Sequence, residues 1–155
     1  MNTEDHLLAD VVAETLEQFA FLFVESEAGT GVPSQPADYL QAEINFSGGG
    51  EKGTLTLATS ASLCREMACN ILGLDDSEIE SDVAADAIKE LSNILVGSLT
   101  ARRLGVGTQC ALSTPVAQEV GPDQIRELLS RPGALRFRVD DDLFVAVLDE
   151  KMTEV

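Results

Sequence analysis

Residues 77–104 read SEIESDVAADAIKELSNILVGSLTARRL. Ala84, Ile88, Leu91 and Leu95 recur in it at intervals of four, three and four, the spacing of one buried helix face. At about 100° per residue, Asp86, Glu90, Asn93 and Gly97 fall on a narrow stripe roughly opposite. The segment is predicted to be a long helix, with core on one side and a carboxylate beside a neutral amide on the other. Ser77, with Glu80 three residues later, is predicted to open it as a capping box, and Gly105 and Gly107 to end it. Gly97 continues the polar stripe in mid-helix at a cost of about 1 kcal/mol relative to alanine. Close approach by another molecule would explain a glycine there.

Upstream, Leu7, Leu8, Val11, Val12, Leu16, Phe19, Leu22 and Phe23 give helical spacing from Thr3 to Glu25, with Thr3 as the cap. Gly29, Gly31, Pro33 and Pro36 then mark a loop. Two strands are predicted at Tyr39–Phe46 and Gly53–Thr59, the second alternating Leu55 and Leu57 with threonines, joined into a hairpin by residues 47–52. Ser60 or Ser62 is expected to cap a second helix running to Leu72, with Gly73 as its stop. Downstream come a strand at 108–120, a short helix at Pro122–Ser130, and a last hairpin with arms at Leu135–Val139 and Leu143–Asp149 about Asp140, Asp141 and Asp142. Helices packed on an antiparallel sheet, an α+β domain spanning residues 1–155, is the architecture this order implies.

With 155 residues and 45% apolar content, the chain can bury roughly two thirds of the surface its unfolded form exposes, in one core. Twenty-seven acidic against ten basic side chains give a formal charge of −17, which would repel nucleic-acid phosphates and anionic membranes. The longest apolar runs, such as Phe19–Val24, fall far short of the roughly 20 residues of a membrane span. The first residues lack the basic region and apolar stretch of a signal peptide, so a cytoplasmic protein is expected. Cys64, Cys69 and Cys110 read as small buried hydrophobes. The only histidine, His6, is distant from all three, and no metal or cofactor is assigned to the chain itself.

Other patterns lead nowhere. Residues 48–54, GGGEKGT, superficially resemble a phosphate loop, but the lysine precedes the last glycine and a strand follows where a helix is required. Asp75, Asp76, Glu78, Glu80 and Asp82 lack the glycine and terminal glutamate of a calcium loop and are read as charge at a helix N-terminus. Gly105 and Gly107 complete no dinucleotide fingerprint, and no Ser, His and Asp set is available.

The long helix resembles the CheC, CheX and FliY family, whose signature is Asp or Ser, three residues, Glu, two residues, Asn, then about 22 residues to a Pro. Here Asp86, Glu90 and Asn93 are followed by 21 residues and Pro115, one short of the pattern. A glycine-punctuated hairpin (Gly50, Gly53, Leu55, Leu57) and a helix ending in glycine (Leu63, Ala68, Leu72, Gly73) extend the likeness over nearly the whole chain. One motif copy and this length make CheX the most similar member. A second set on the first helix, Asp10, Glu14 and Glu17, has a carboxylate in place of the amide, which would repel a phosphoryl group. It is read as a solvated face.

The resemblance implies a phosphatase that removes the aspartyl phosphate of a CheY-like response regulator in chemotaxis or a related two-component circuit. Glu90 would pair with a lysine of the regulator, and Asn93 would orient the attacking water. The regulator would supply the phospho-aspartate and the Mg²⁺. Asp86 either shares that docking face or merely solvates it, Gly97 lies on the same stripe, and Pro115 is read as a structural stop. Homodimers are also implied, although Arg136 and Arg138 are placed to protect an edge strand by charge. Two alternatives stand beside this: the stripe is simply the wet side of a core helix, or the domain is a non-catalytic signalling module that binds a receiver or another partner.

Overall fold

The computed structural model describes residues 3–26, 38–75, 77, 79–105, 107, 109–139 and 142–152. Helix α1 spans Thr3–Phe19, followed by strands β1 (Val24–Ser26), β2 (Tyr39–Gly48) and β3 (Glu51–Ser60). Helices α2 (Ala61–Leu72) and α3 (Ser81–Leu104) come next. Strands β4 (Ala111–Leu112) and β5 (Val116–Val120), helix α4 (Pro122–Ser130), and strands β6 (Leu135–Val139) and β7 (Asp142–Met152) complete the order. The seven strands form one antiparallel sheet in the order β1-β6-β7-β3-β2-β4, with β5 also pairing with β2.

Period-two alternation sets the layers. Leu40, Ala42, Ile44 and Phe46 of β2, Leu55 and Leu57 of β3, and Phe144 and Ala146 of β7 pack with α1, α2 and α3 in the larger core. Tyr39, Ala58, Leu143, Val145 and Val147 point the other way, onto Ile125 and Leu128 of α4. Strand β7 is thus buried on both faces, which is why residues 143–148 read as an unbroken apolar run.

The β2–β3 connection is tighter than the six-residue link expected, because both strands run on until only Gly49 and Gly50 remain between them. Their φ values of 58° and 81° suit a two-residue hairpin turn with both central residues left-handed. Gly53 stands directly across from Phe46, and a Cβ there would come within 2.7 Å of the Phe46 ring. The glycine leaves room for that ring against β3.

Four further expectations are corrected. Helix α1 stops at Phe19 instead of continuing to Glu25: Phe21 turns left-handed at φ 57°, and the Leu22 N–H donates to the Leu16 carbonyl at 3.0 Å. Leu22 is buried while Phe23 is 82% exposed, so the helical spacing read through this segment fails, and the chain enters β1. Helix α3 starts at Ser81 with Glu80 as its N-cap and no side-chain cap bond, so the Ser77 and Glu80 box does not form; Ile79 instead packs against the core. The strand expected over 108–120 is broken at residues 113–115, where Pro115 removes a ladder donor. The β6 strand is not left bare, since β1 pairs with it and Glu25 meets Arg138 across the join.

The loop at Gly29, Gly31, Pro33 and Pro36, and the turn residues Asp140 and Asp141, lie outside the described residues, as do Asp76, Glu78 and Thr108. Among the described residues no helix is long and apolar enough to cross a membrane.

Candidate functional site

Helix α3 is rigid for reasons visible on its buried side. Ala84, Ala87, Ile88, Leu91, Leu95, Val96 and Leu99 are all buried in the larger core. Ser92 and Thr100 are buried too, and each hydroxyl donates to the carbonyl four residues back, Ile88 at 2.9 Å and Val96 at 2.8 Å. At its C-terminal end, Arg102 pairs with Glu14 of α1, and Arg103 bridges Glu51 of β3 and Glu150 of β7. Cations in the last turn also complement the helix dipole.

On the other side, Asp86, Glu90 and Gly97 are exposed and Asn93 is half-buried. The structure therefore brings all four predicted residues onto one accessible face. A Cβ built at Gly97 would meet nothing within 4 Å, so no neighbour among the described residues requires glycine there. No hydrogen bond or ion pair ties the Glu90 carboxylate or the Asn93 amide to another described residue. Both remain available to an incoming molecule.

Asp86 is not in that state. Its carboxylate lies 3.3 Å from the Lys89 ammonium, one turn along the helix. The stripe as read in the sequence omitted Lys89, although the i, i+3 spacing of opposite charges carries the signal.

The other candidates fall away from the site. Glu14, in the second acidic set, is engaged by Arg102, whereas Asp10 and Glu17 are exposed. Cys64 is buried, while Cys69 and Cys110 are only partly so, which corrects the expectation for those two. Burial, with a smaller contribution from Asp142, pushes the Cys64 thiol up to about 12, so it is protonated and unreactive at neutral pH. Among the described residues no three His, Cys, Asp or Glu side chains are grouped to hold a metal. An open groove of about 480 Å³ lies at the end of the sheet, lined by Asn45, Lys52, Thr54, Leu112, Ser113 and Asp149 among others, with no residue of α3.

An exposed Glu and a half-buried Asn on one helix face, with a glycine next in line, lie within a wider match. Residues 40–151 fit the family model of the chemotaxis phosphatase CheX. The chain belongs to the CheX family. The match runs from β2 into β7 and contains the whole of α3. No curated protein sequence matches the chain. Solved structures share its fold at low identity. The chemotaxis protein CheX from Vibrio vulnificus is 15% identical with a TM-score of 0.69, the likeness covering 97% of each chain. CheX from Desulfovibrio desulfuricans is 13% identical with a TM-score of 0.66, covering 97% of this chain and 99% of that one. A chain of the CheX–CheY–BeF₃–Mg²⁺ complex from Borrelia burgdorferi is 14% identical with a TM-score of 0.62, covering 94% and 96%. These likenesses extend to α1, which lies outside the matched residues 40–151.

Proposed function

We propose that this CheX-family chain hydrolyses the aspartyl phosphate of a CheY-like receiver domain, with Glu90 docking the receiver and Asn93 orienting the attacking water. The observation that carries the reading is the pair of unengaged polar side chains on an exposed, rigidly anchored helix face. That face lies apart from the groove at the end of the sheet, whose lining includes no residue of α3. Side chains presented on an exposed helix face suit a macromolecular substrate that brings its own pocket, phosphoryl group and Mg²⁺. The complex of the Borrelia burgdorferi CheX with CheY, BeF₃ and Mg²⁺ supports a receiver as the partner.

An aspartyl phosphate is a mixed anhydride and already labile, so its hydrolysis needs positioning more than new chemistry. In the proposed step the Asn93 Oδ1 accepts a hydrogen bond from water while its Nδ2 donates to a phosphoryl oxygen. The water oxygen bonds to phosphorus as the bond to the aspartyl oxygen breaks. Free aspartate and inorganic phosphate result: one of the water's two protons stays on the oxygen now bound to phosphorus, and the other passes to a phosphoryl oxygen, giving H₂PO₄⁻. A neutral amide does this without adding negative charge beside the phosphoryl group. Glu90, one turn away, offers its carboxylate to a lysine at the rim of the receiver's pocket, and Asp86 and Gly97 extend the docking face.

The test is the decay of phosphorylated receiver domains from the same genome, alone, with this protein, and with its Asn93→Ala variant. Acceleration by wild type of about a hundredfold would correspond to about 2.7 kcal/mol and should disappear in the variant. Receiver binding without acceleration by wild type would favour a non-catalytic binding module instead.

A further inference from the structure

Lys89 is the only cation between the start of α3 and Arg102, and it is adjacent in sequence to the residue assigned to docking. Around the helix Lys89 stands about 60° to one side of Asp86, and Glu90 about 40° to the other. An uncompensated ammonium at this position would oppose any cation that approaches Glu90. It is compensated: helical side chains lean toward the N-terminus, and the Lys89 Nζ reaches back to Asp86 Oδ1 at 3.3 Å. The Lys89 side chain is 36% exposed, against 60% for Asp86.

We infer that Asp86 is a positioning residue that acts through Lys89, holding and neutralising its ammonium so that Glu90 meets the partner's cation with its charge unopposed. The inference rests on the docking role proposed for Glu90, and it gives Asp86 a task that neither solvation nor direct contact with the receiver describes. It also explains how a lysine can be tolerated beside a residue that must attract a lysine. With Asp86 and Lys89 cancelling, the trio Asp86, Lys89 and Glu90 carries the single charge of Glu90, and Asp82, about two turns before Glu90 on the same stripe, is common to every variant. Asp86→Asn would leave the trio neutral, and Lys89→Gln would leave it doubly negative. The double variant would restore the single charge.

A charge cycle reads this directly. The affinity of a receiver loaded with beryllofluoride and Mg²⁺ is measured by calorimetry at low and at high salt, for wild type, Asp86→Asn, Lys89→Gln and the double variant. Asp86→Asn should weaken binding about threefold or more at low salt, Lys89→Gln should tighten it, and the double variant should return to the wild-type value. All the differences should shrink at high salt. In turnover, KM should follow the affinities while kcat stays level. A double variant as weak as Asp86→Asn, an Asp86→Asn variant that binds like wild type, or an effect confined to kcat would each overturn the inference. Asn93→Ala in the same series reports separately on hydrolysis. Binding without turnover by wild type would sink the phosphatase reading yet leave the charge cycle readable, whereas no binding by wild type would sink both.

Discussion

Gly97 presents the sharpest conflict at the scale of single residues, because the fold does not need it. It lies inside α3, exposed, with open space where a Cβ would go. Alanine there should stabilise the protein by about 1 kcal/mol, since glycine carries the larger entropy cost in a helix interior. If the glycine is kept so that a receiver can approach the helix backbone one turn beyond Asn93, the same substitution should raise KM for the phosphorylated receiver. Gly97→Ala is therefore expected to raise the midpoint of thermal unfolding while lowering kcat/KM. A rise in stability with no change in turnover would remove Gly97 from the docking face. The placement of Asp86, Glu90, Asn93 and Gly97 on one accessible face was legible in the sequence, because helical periodicity fixes angles around an axis without any tertiary information. Their engagement was not: whether a carboxylate is free, like Glu90, or paired, like Asp86, depends on rotamers that spacing alone leaves open.

Among the elements, those with local chemical signals were read best. Helix α2 has Ser60 as its N-cap, the hydroxyl accepting the Leu63 N–H at 3.0 Å, and Gly73 at φ 68° as its stop. Helix α4, with proline in its first turn, has the expected bounds. Of the two helix ends that were misread, the one after α1 depends on a partner remote in sequence. The turn after α1 has no glycine; it is held by the Asn70 side chain, which donates to the Ala20 carbonyl at 2.6 Å across to α2. The start of α3 has no side-chain cap at all, and a capping box three residues upstream looked better than the real boundary. Strand β1 has only three residues and pairs with a strand more than a hundred residues later in the chain, so no local pattern could announce it. The signal that did succeed can be tested. Ser60→Ala should cost about 1 kcal/mol of stability, within the usual range for a lost N-cap, and Ser60→Asp should recover most of it, as read from urea unfolding midpoints. Equal stability of wild type and Ser60→Ala would show that burial of Leu63, Cys64 and Met67 starts α2 without help from the cap.

For the whole molecule, surface and core respond to pH in the same sense at the alkaline end. The surface carries a formal charge of −17 at pH 7, and further deprotonation adds to its self-repulsion. In the core, burial, then Asp142, holds the Cys64 thiol up at about 12, against 9.0 in the unfolded chain. Tyr39 is raised in the same direction from 10.0, again chiefly by burial. The folded protein thus keeps a proton on Cys64 that the unfolded chain gives up above pH 9. Stability is unaffected by this group below that point and falls as pH rises beyond it, at a limiting slope of about 1.4 kcal/mol per pH unit. Cys64→Ala removes the titration but leaves a small cavity, so the variant should be less stable than wild type by about 1 kcal/mol at pH 7. Between pH 7 and 10.5 wild type should lose about 2 kcal/mol that the variant has no thiol to lose, so the gap should close and then reverse, leaving the variant the more stable by about 1 kcal/mol. Urea unfolding of both proteins across that range is the measurement. Parallel pH profiles would mean that Cys64 reaches solvent or ionises in the folded state, and the larger core would then be less closed at α2 than its burial indicates.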